Sequence, residues 1–324
     1  MGILEAEDRA DTFVPHAFTE RTADLGEIRM NHVVVGDASL PALLLIPGQT
    51  ESWWGYEQAI PLLAEHFQVH AVDLRGQGRS TWTPGRYTLD TLGNDLVRFI
   101  DLVIGRPTYV SGLSSGGVLS AWLSAYAKPG QVRAAVYEDP PLFSSQVDPA
   151  HGQSIRQGMG PFFALLHKWL GDQWSIGDWA GASRAMPAEL PPVLLRAIAT
   201  MFGDGEDADL AKPPQNLREY DPEWARAFVS GTVTVGCDHA TMLSAVKVPV
   251  LFTHHFRQVD DETGHLLGAI SDLQAGRVRA LVEAAGQPFT YLSFPGMPHA
   301  MHDADPELFA RTVVEWVGGL PDES

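Results

Sequence analysis

Residues Thr108–Gly117 read TYVSGLSSGG, and the fold follows from how this stretch is read. A β-rich run, Thr108-Tyr109-Val110, enters Gly112-Leu113-Ser114-Ser115-Gly116, and a helical pattern, VLSAWLSAYA, leaves it. In a strand–turn–helix setting G-x-S-x-G marks a sharp turn that presents a nucleophile. Glycines flank Ser114 because a Cβ at either place would collide with neighbouring chain. The turn lifts the Ser114 hydroxyl clear of the sheet and aims the Ser115 N–H at whatever Ser114 attacks.

Working outward, short apolar runs alternate with helical patterns. On the N-terminal side, EIRMNHVVVGD from Glu27 predicts strands with a turn at Gly36-Asp37, and ALLLI (Ala42–Ile46) predicts a strand buried on both faces. A helix is expected over Ser52–Ala64, a strand at QVHAVDL (Gln68–Leu74) and an amphipathic helix over Asp90–Ile104. On the C-terminal side, VRAAVY (Val132–Tyr137) predicts a strand ending at Glu138-Asp139-Pro140-Pro141. This alternation implies an α/β fold with a mostly parallel sheet wrapped by helices.

The alternation stops near Phe143 and resumes at VPVLF (Val248–Phe252). The intervening residues are helical in composition and rich in Trp, so a helical cap over 143–245 is expected, inserted into a core of 16–142 and 246–324. A polar tail is expected over 1–15. After Phe252, two short runs flank Asp261-Glu262-Thr263-Gly264 and predict a small β-hairpin. A helix over Leu273–Ala285, a strand over Thr290–Phe294 and a helix from Pro306 complete the chain.

Composition narrows the function. The 324 residues carry a formal net charge of −18, which argues against nucleic acid and anionic membranes as partners. Cys237 is the only cysteine, so neither a disulfide framework nor a cysteine-rich zinc site is expected. The acidic opening MGILEAEDRADTF lacks the basic start and apolar run of a signal peptide. No apolar stretch approaches bilayer-spanning length. These features together predict a cytoplasmic protein acting on a small molecule. The hairpin, marginal alone and exposing strand edges, suggests a homo-oligomer, a dimer or tetramer.

A serine hydroxyl becomes a useful nucleophile only when a base takes its proton, and that base needs a third group to orient it. The order Ser, acid, His places the histidine after the last strand. There FPGMPHAMHDADP offers His299 and His302. His299, five residues beyond Phe294, is the expected base; His302, beside Asp303, is assigned to the surface. The acid comes from Glu138-Asp139 or from Asp260-Asp261. A strand end stiffened by Pro140-Pro141 favours the first pair, because it can hold a fixed aim. The oxyanion hole calls for the N–H groups of Ser115 and, after ALLLI, of Gln49. His254-His255 lacks matching carboxylate spacing for a metal, and no metal or cofactor is expected.

DLRGQGRS (Asp73–Ser80), GLSSG, the late histidine and the cap insertion together resemble the α/β-hydrolase superfamily. More closely, DLGEIRMN, ESWWGYE, GNDLVRFIDLVI, GDQWSIGDW, PQNLREYDPEW and ETGHLLGAISDLQA are similar to the bacterial zearalenone lactonases. That resemblance implies a capped hydrolase that opens the macrocyclic ester of a resorcylic acid lactone, whose product then loses carbon dioxide. Matching the Pro at 141 to more distant lactone hydrolases selects Asp139 as the acid and leaves Glu138 outside the triad. Phe143 and Trp174 are expected to touch the substrate. A carboxylesterase, a C–C bond hydrolase or a slow-hydrolysing ligand sensor would share the same catalytic residues.

Overall fold

The computed structural model describes residues 15–170, 178–202, 215–262 and 264–321. Ten strands are present among them: β1 Arg21–Asp24, β2 Arg29–Val35, β3 Ala42–Ile46, β4 Gln68–Val72, β5 Thr108–Leu113, β6 Val132–Glu138, β7 Val250–His254, β8 Arg257–Val259, β9 Leu266–Gly268 and β10 Phe289–Ser293. Eight of them form one sheet in the order β1-β2-β4-β3-β5-β6-β7-β10. The β1–β2 and β2–β4 pairs are antiparallel, and every later pair is parallel. This is the α/β-hydrolase fold, with a mostly parallel sheet flanked by helices.

Register explains why the chemistry collects at one edge. Ile46 pairs with Gly112, Leu113 with Glu138, and Glu138 with Thr253. Adjacent parallel strands therefore stop at nearly the same level, about 4.8 Å apart. The residues that follow them, Pro47, Ser114, Asp139 and the turn after His254, stand in one row along the carboxyl edge. In open α/β sheets that edge is where ligands bind.

Side-chain alternation along the strands divides the core in two. Leu44 and Ile46 pack with Val110, Val118 and Trp122 on one face, where the cap also lies. Leu43 and Leu45 pack with Trp53, Tyr56, Phe309 and Val313 on the other.

The cap contains helices at Ile155–Leu170, Trp179–Glu189, Pro192–Phe202, Gln215–Arg218, Pro222–Ser230 and His239–Leu243. Two expectations need adjustment. Instead of one helix over Ser52–Ala64 there is a 3-10 turn at Trp53–Tyr56 and a short helix at Ile60–Leu63. Pro61, which cannot donate a backbone hydrogen bond, starts the second piece afresh. The Asp90 helix spans Leu89–Phe99, followed by a wider π turn to Ile104 that ends at left-handed Gly105. The hairpin forms as β8 against β9, Arg257 opposite Gly268, with Thr263 outside the described residues. Of the tail expected over 1–15, all but Pro15 lies outside them too. Among the described residues no helix is long and apolar enough to cross a membrane.

Candidate active site

The turn at Ser114 has the strain its glycines imply. Ser114 holds φ 55° and ψ −117°, a conformation L-residues seldom adopt. A Cβ on Gly112 would lie 2.2 Å from the Gly116 carbonyl oxygen, and one on Gly116 would lie 2.2 Å from that of Ile46. The backbone of β3 and the elbow helix thus approach as closely as two peptides can. The Ser114 N–H donates to the Glu138 carbonyl at 2.8 Å, tying the turn to the end of β6.

Asp139 and His299 meet although 160 residues separate them. Nδ1 of His299 donates to Oδ2 of Asp139 at 2.7 Å, with both residues buried. Asp139 sits at φ 40°, and its N–H donates to the Thr253 carbonyl at 2.9 Å. Its other oxygen, Oδ1, accepts the His255 N–H at 3.1 Å. The His255 ring donates from Nδ1 to the His299 carbonyl at 2.8 Å. One residue therefore holds both members of the pair, and no signal in the sequence assigns His255 that task. With Nδ1–H committed to Asp139, Nε2 of His299 carries the free lone pair of a base.

Burial alone would push the His299 pKa down. The hydrogen bond and charge of Asp139, helped by Glu51 and Glu138, outweigh it and hold the imidazole above its ordinary 6.5. Burial would raise the Asp139 carboxyl, but the bond from His299 and the nearby histidines hold it low instead. The pair is arranged to keep a negative acid beside a proton-accepting ring.

Ser114 and His299 line one cavity together with Gly48, Gln49 and Ser115. Ser115 is the first residue of its helix, and such an N–H has no intrahelical acceptor. The loop after β3 is clamped around Gln49. The Gly48 N–H donates to Oε2 of Glu51 at 3.0 Å, and the Thr50 N–H donates to Oε1 of Gln77 at 2.6 Å. Gln77 Nε2 in turn donates to the Gly48 carbonyl at 3.1 Å. The Gln49 N–H between them has no acceptor among the described residues. Gln77 and Glu51 were not singled out from sequence, yet both hold this loop. The DLRGQGRS motif around Gln77 is otherwise architectural. Asp73 accepts from Trp53, Arg79 and Asn31, and Gly78 is required because a Cβ there would lie 2.1 Å from that carboxylate.

The remaining candidates go elsewhere. His302, assigned to the surface, is fully buried: its Nδ1 donates to Oε2 of Glu138 at 3.0 Å and its ring stacks on Tyr56. Glu138 is likewise buried, held by the backbone N–H and ring of His302. Asp260 accepts from Arg196 at 3.0 Å, and Asp261 is exposed. His254 is saturated by Tyr291 and the Ile270 carbonyl. No cluster that could hold a metal ion occurs among the described residues.

Phe143 is not part of the cavity wall. Its φ of 66° turns the ring into the core, edge-on to His151 and His239, while Pro141 and Ser145 on either side line the cavity. Trp174 lies outside the described residues. The apolar wall instead comes from Leu89, Leu92 and Val118 of the core and Met159, Phe163 and Phe228 of the cap.

Comparison with known proteins agrees with this geometry. A family profile described as the alpha/beta hydrolase fold matches residues 41–267. Bifunctional epoxide hydrolase 2 of Sus scrofa is 35% identical over 122 residues, 36% of this chain and 21% of that protein. The 3-oxoadipate enol-lactonase 2 of Acinetobacter baylyi is 32% identical over 103 residues, 31% of this chain and 38% of its own. The chain thus spans well under half the length of these curated relatives. The crystal structure of the enol-lactonase from Burkholderia xenovorans superposes with a TM-score of 0.60 at 17% identity, covering 92% of this chain and all of that one. The profile, the sheet order and the strained serine turn lead to one conclusion: this chain belongs to the α/β-hydrolase fold family.

Proposed function

We propose that the protein is a serine hydrolase that opens the macrocyclic ester of zearalenone-type resorcylic acid lactones. The observation that carries the serine chemistry is the buried 2.7 Å bond from His299 to Asp139, set in a cavity that Ser114 also lines. Ser114 Oγ attacks the lactone carbonyl as His299 Nε2 takes its proton. The N–H groups of Gln49 and Ser115 hold the oxyanion. His299 then protonates the leaving alkoxide, which stays tethered as the far end of the same molecule. Water, giving its proton to His299, releases the ring-opened acid, which then loses carbon dioxide.

The substrate class rests on the sequence resemblance, and the site is compatible with it. Apolar side chains from core and cap enclose a few polar groups, the lining that a largely apolar ring requires. An alkyl-enzyme route, as at an epoxide, needs a carboxylate at the elbow, and Ser114 occupies that position. A carboxylesterase on another apolar ester would use the same residues, and the lactonase name of one relative keeps ester chemistry in view. Incubation with zearalenone, followed by mass spectrometry, decides between them. We expect the hydrolysed acid and its decarboxylated product from the wild-type protein and neither from Ser114→Ala. Turnover of p-nitrophenyl esters with zearalenone left intact would replace the lactonase reading with the esterase one.

A further inference from the structure

Glu51 lines two cavities. One is the apolar cavity with Ser114 and His299; the other, called the rear chamber, is walled by Ser52, Trp54, Gly55, Asn216, His302 and Glu51. The rear chamber has a different chemistry. Ser52, Trp54 and His302 line it, and their Oγ, Nε1 and Nε2 atoms are buried without a hydrogen-bond partner among the described residues. Buried polar atoms of this kind are almost always satisfied, by protein or by ordered water, and a bound water needs two to four such partners. Glu57 and Asp303 also line it, so an anion would be repelled.

Gly55 stands beside His302 and Glu51 in the wall of this chamber. A Cβ built on it would lie 3.8 Å from His302 Nε2 and 4.0 Å from Glu51 Oε2. The glycine is not required by its backbone, since its φ is outside the left-handed range. Glu51 is suited to the boundary: one oxygen holds the Gly48 N–H, and a carboxylate offers about four lone-pair sites in all.

We propose that this rear chamber is the port through which the hydrolytic water reaches the acyl-enzyme. The inference rests on the serine acyl-transfer reading above, and it answers a difficulty in that reading. Once an apolar acyl chain occupies the front cavity, its lining offers water little to bind. In deacylation the water oxygen bonds to the acyl carbon and its proton passes to His299 Nε2. The bond from that carbon to Ser114 Oγ then breaks, and Ser114 recovers the proton from His299.

The test plugs the chamber without replacing any residue of the triad or the oxyanion loop, and the rate of acylation reports whether a plug at Gly55 disturbs the neighbouring Glu51 clamp. Gly55→Ala, Gly55→Val and Gly55→Leu form a graded series from the core side, and Asn216→Phe plugs from the cap side. With excess enzyme and p-nitrophenyl decanoate, whose acyl chain fills the front cavity, nitrophenolate release reads acylation, and intact-protein mass spectrometry reads decay of the decanoyl adduct on Ser114. We expect release at the wild-type rate in all four variants, with adduct decay slowing as the plug grows, by about tenfold or more in Gly55→Leu. Asn216→Phe should slow decay in the same selective way, which covers the case of a Gly55 variant that fails to fold. Adducts that decay at the wild-type rate in Gly55→Leu and Asn216→Phe would remove the port alone. Release and decay slowed together would also remove it, since the plug would then be distorting the triad. A wild-type protein that releases no nitrophenolate would remove the serine reading, and the port with it.

Discussion

Two histidine–carboxylate pairs lie side by side in this protein, built from the same two segments. Asp139 binds His299; Glu138, one residue earlier, binds His302, three residues later. Both pairs are buried, and in both the partner's charge holds the histidine pKa up against burial, which would lower it. What differs is the surroundings of each Nε2. That of His299 belongs to a ring lining the cavity with Ser114, whereas that of His302 lies beneath Tyr56 and beside the rear chamber. A histidine–acid pair is thus a charge arrangement that becomes a catalytic device only when a nucleophile stands across from it.

The sharpest way to test that contrast is through the nucleophile. Ser114→Ala should lower kcat by about 10⁶ and leave unfolding by urea little changed, because removing a triad serine leaves only the residual contribution of binding and the oxyanion hole. Substantial activity in that variant would move the nucleophile to another residue, Ser115 first.

Next come the acids, where the two pairs should respond oppositely. Asp139→Asn should cost about 10⁴ in kcat by disturbing the tautomer of His299. Glu138→Gln should instead act on stability, lowering unfolding free energy by about 3 kcal/mol as a buried pair loses one partner. Its kcat in the folded protein should stay within about tenfold of wild type. If Glu138→Gln lost activity as Asp139→Asn did, the second pair would belong to the reaction.

A smaller effect concerns pH. His299 must be neutral to act as base, and its raised pKa puts the acid limb of kcat/KM above the ordinary 6.5. Glu51 contributes a negative charge that favours the imidazolium. Glu51→Gln should therefore move that limb to lower pH, by less than about one unit. A limb that moved upward would show that the Glu51 charge does not act on His299.

Much of this was legible before any coordinates. Gly112 and Gly116 around Ser114 announce a close approach of backbones, and the approach is there at Ile46 and Gly116 itself. ALLLI is apolar at every position, and VRAAVY at all but Arg133, because parallel strands are covered on both faces. The hairpin at Asp261 follows from local turn chemistry, and the helix expected over Leu273–Ala285 spans Asp272–Ala284. These signals act over a few residues, so the chain carries them in readable order.

Facing was not legible. Glu138 and Asp139 are both strand-end carboxylates, and only the family resemblance separated them; in the structure they meet different histidines of the last loop, Asp139 meeting His299 and Glu138 meeting His302. His302 next to Asp303 looks like surface, but Tyr56, 246 positions away in the sequence, stacks over it. Phe143 looks well placed after the acid, yet its left-handed backbone turns the ring inward. Met159, Phe163 and Phe228 line the cavity with no pattern separating them from ordinary core, because a cap helix is apolar toward either. The order of the elements and the strained turn at Ser114 were local properties, written in short-range sterics and periodicity. Which carboxylate meets which histidine depended on contacts across about 160 residues, and which apolar residues line the cavity on contacts between core and cap, and only packing determines those.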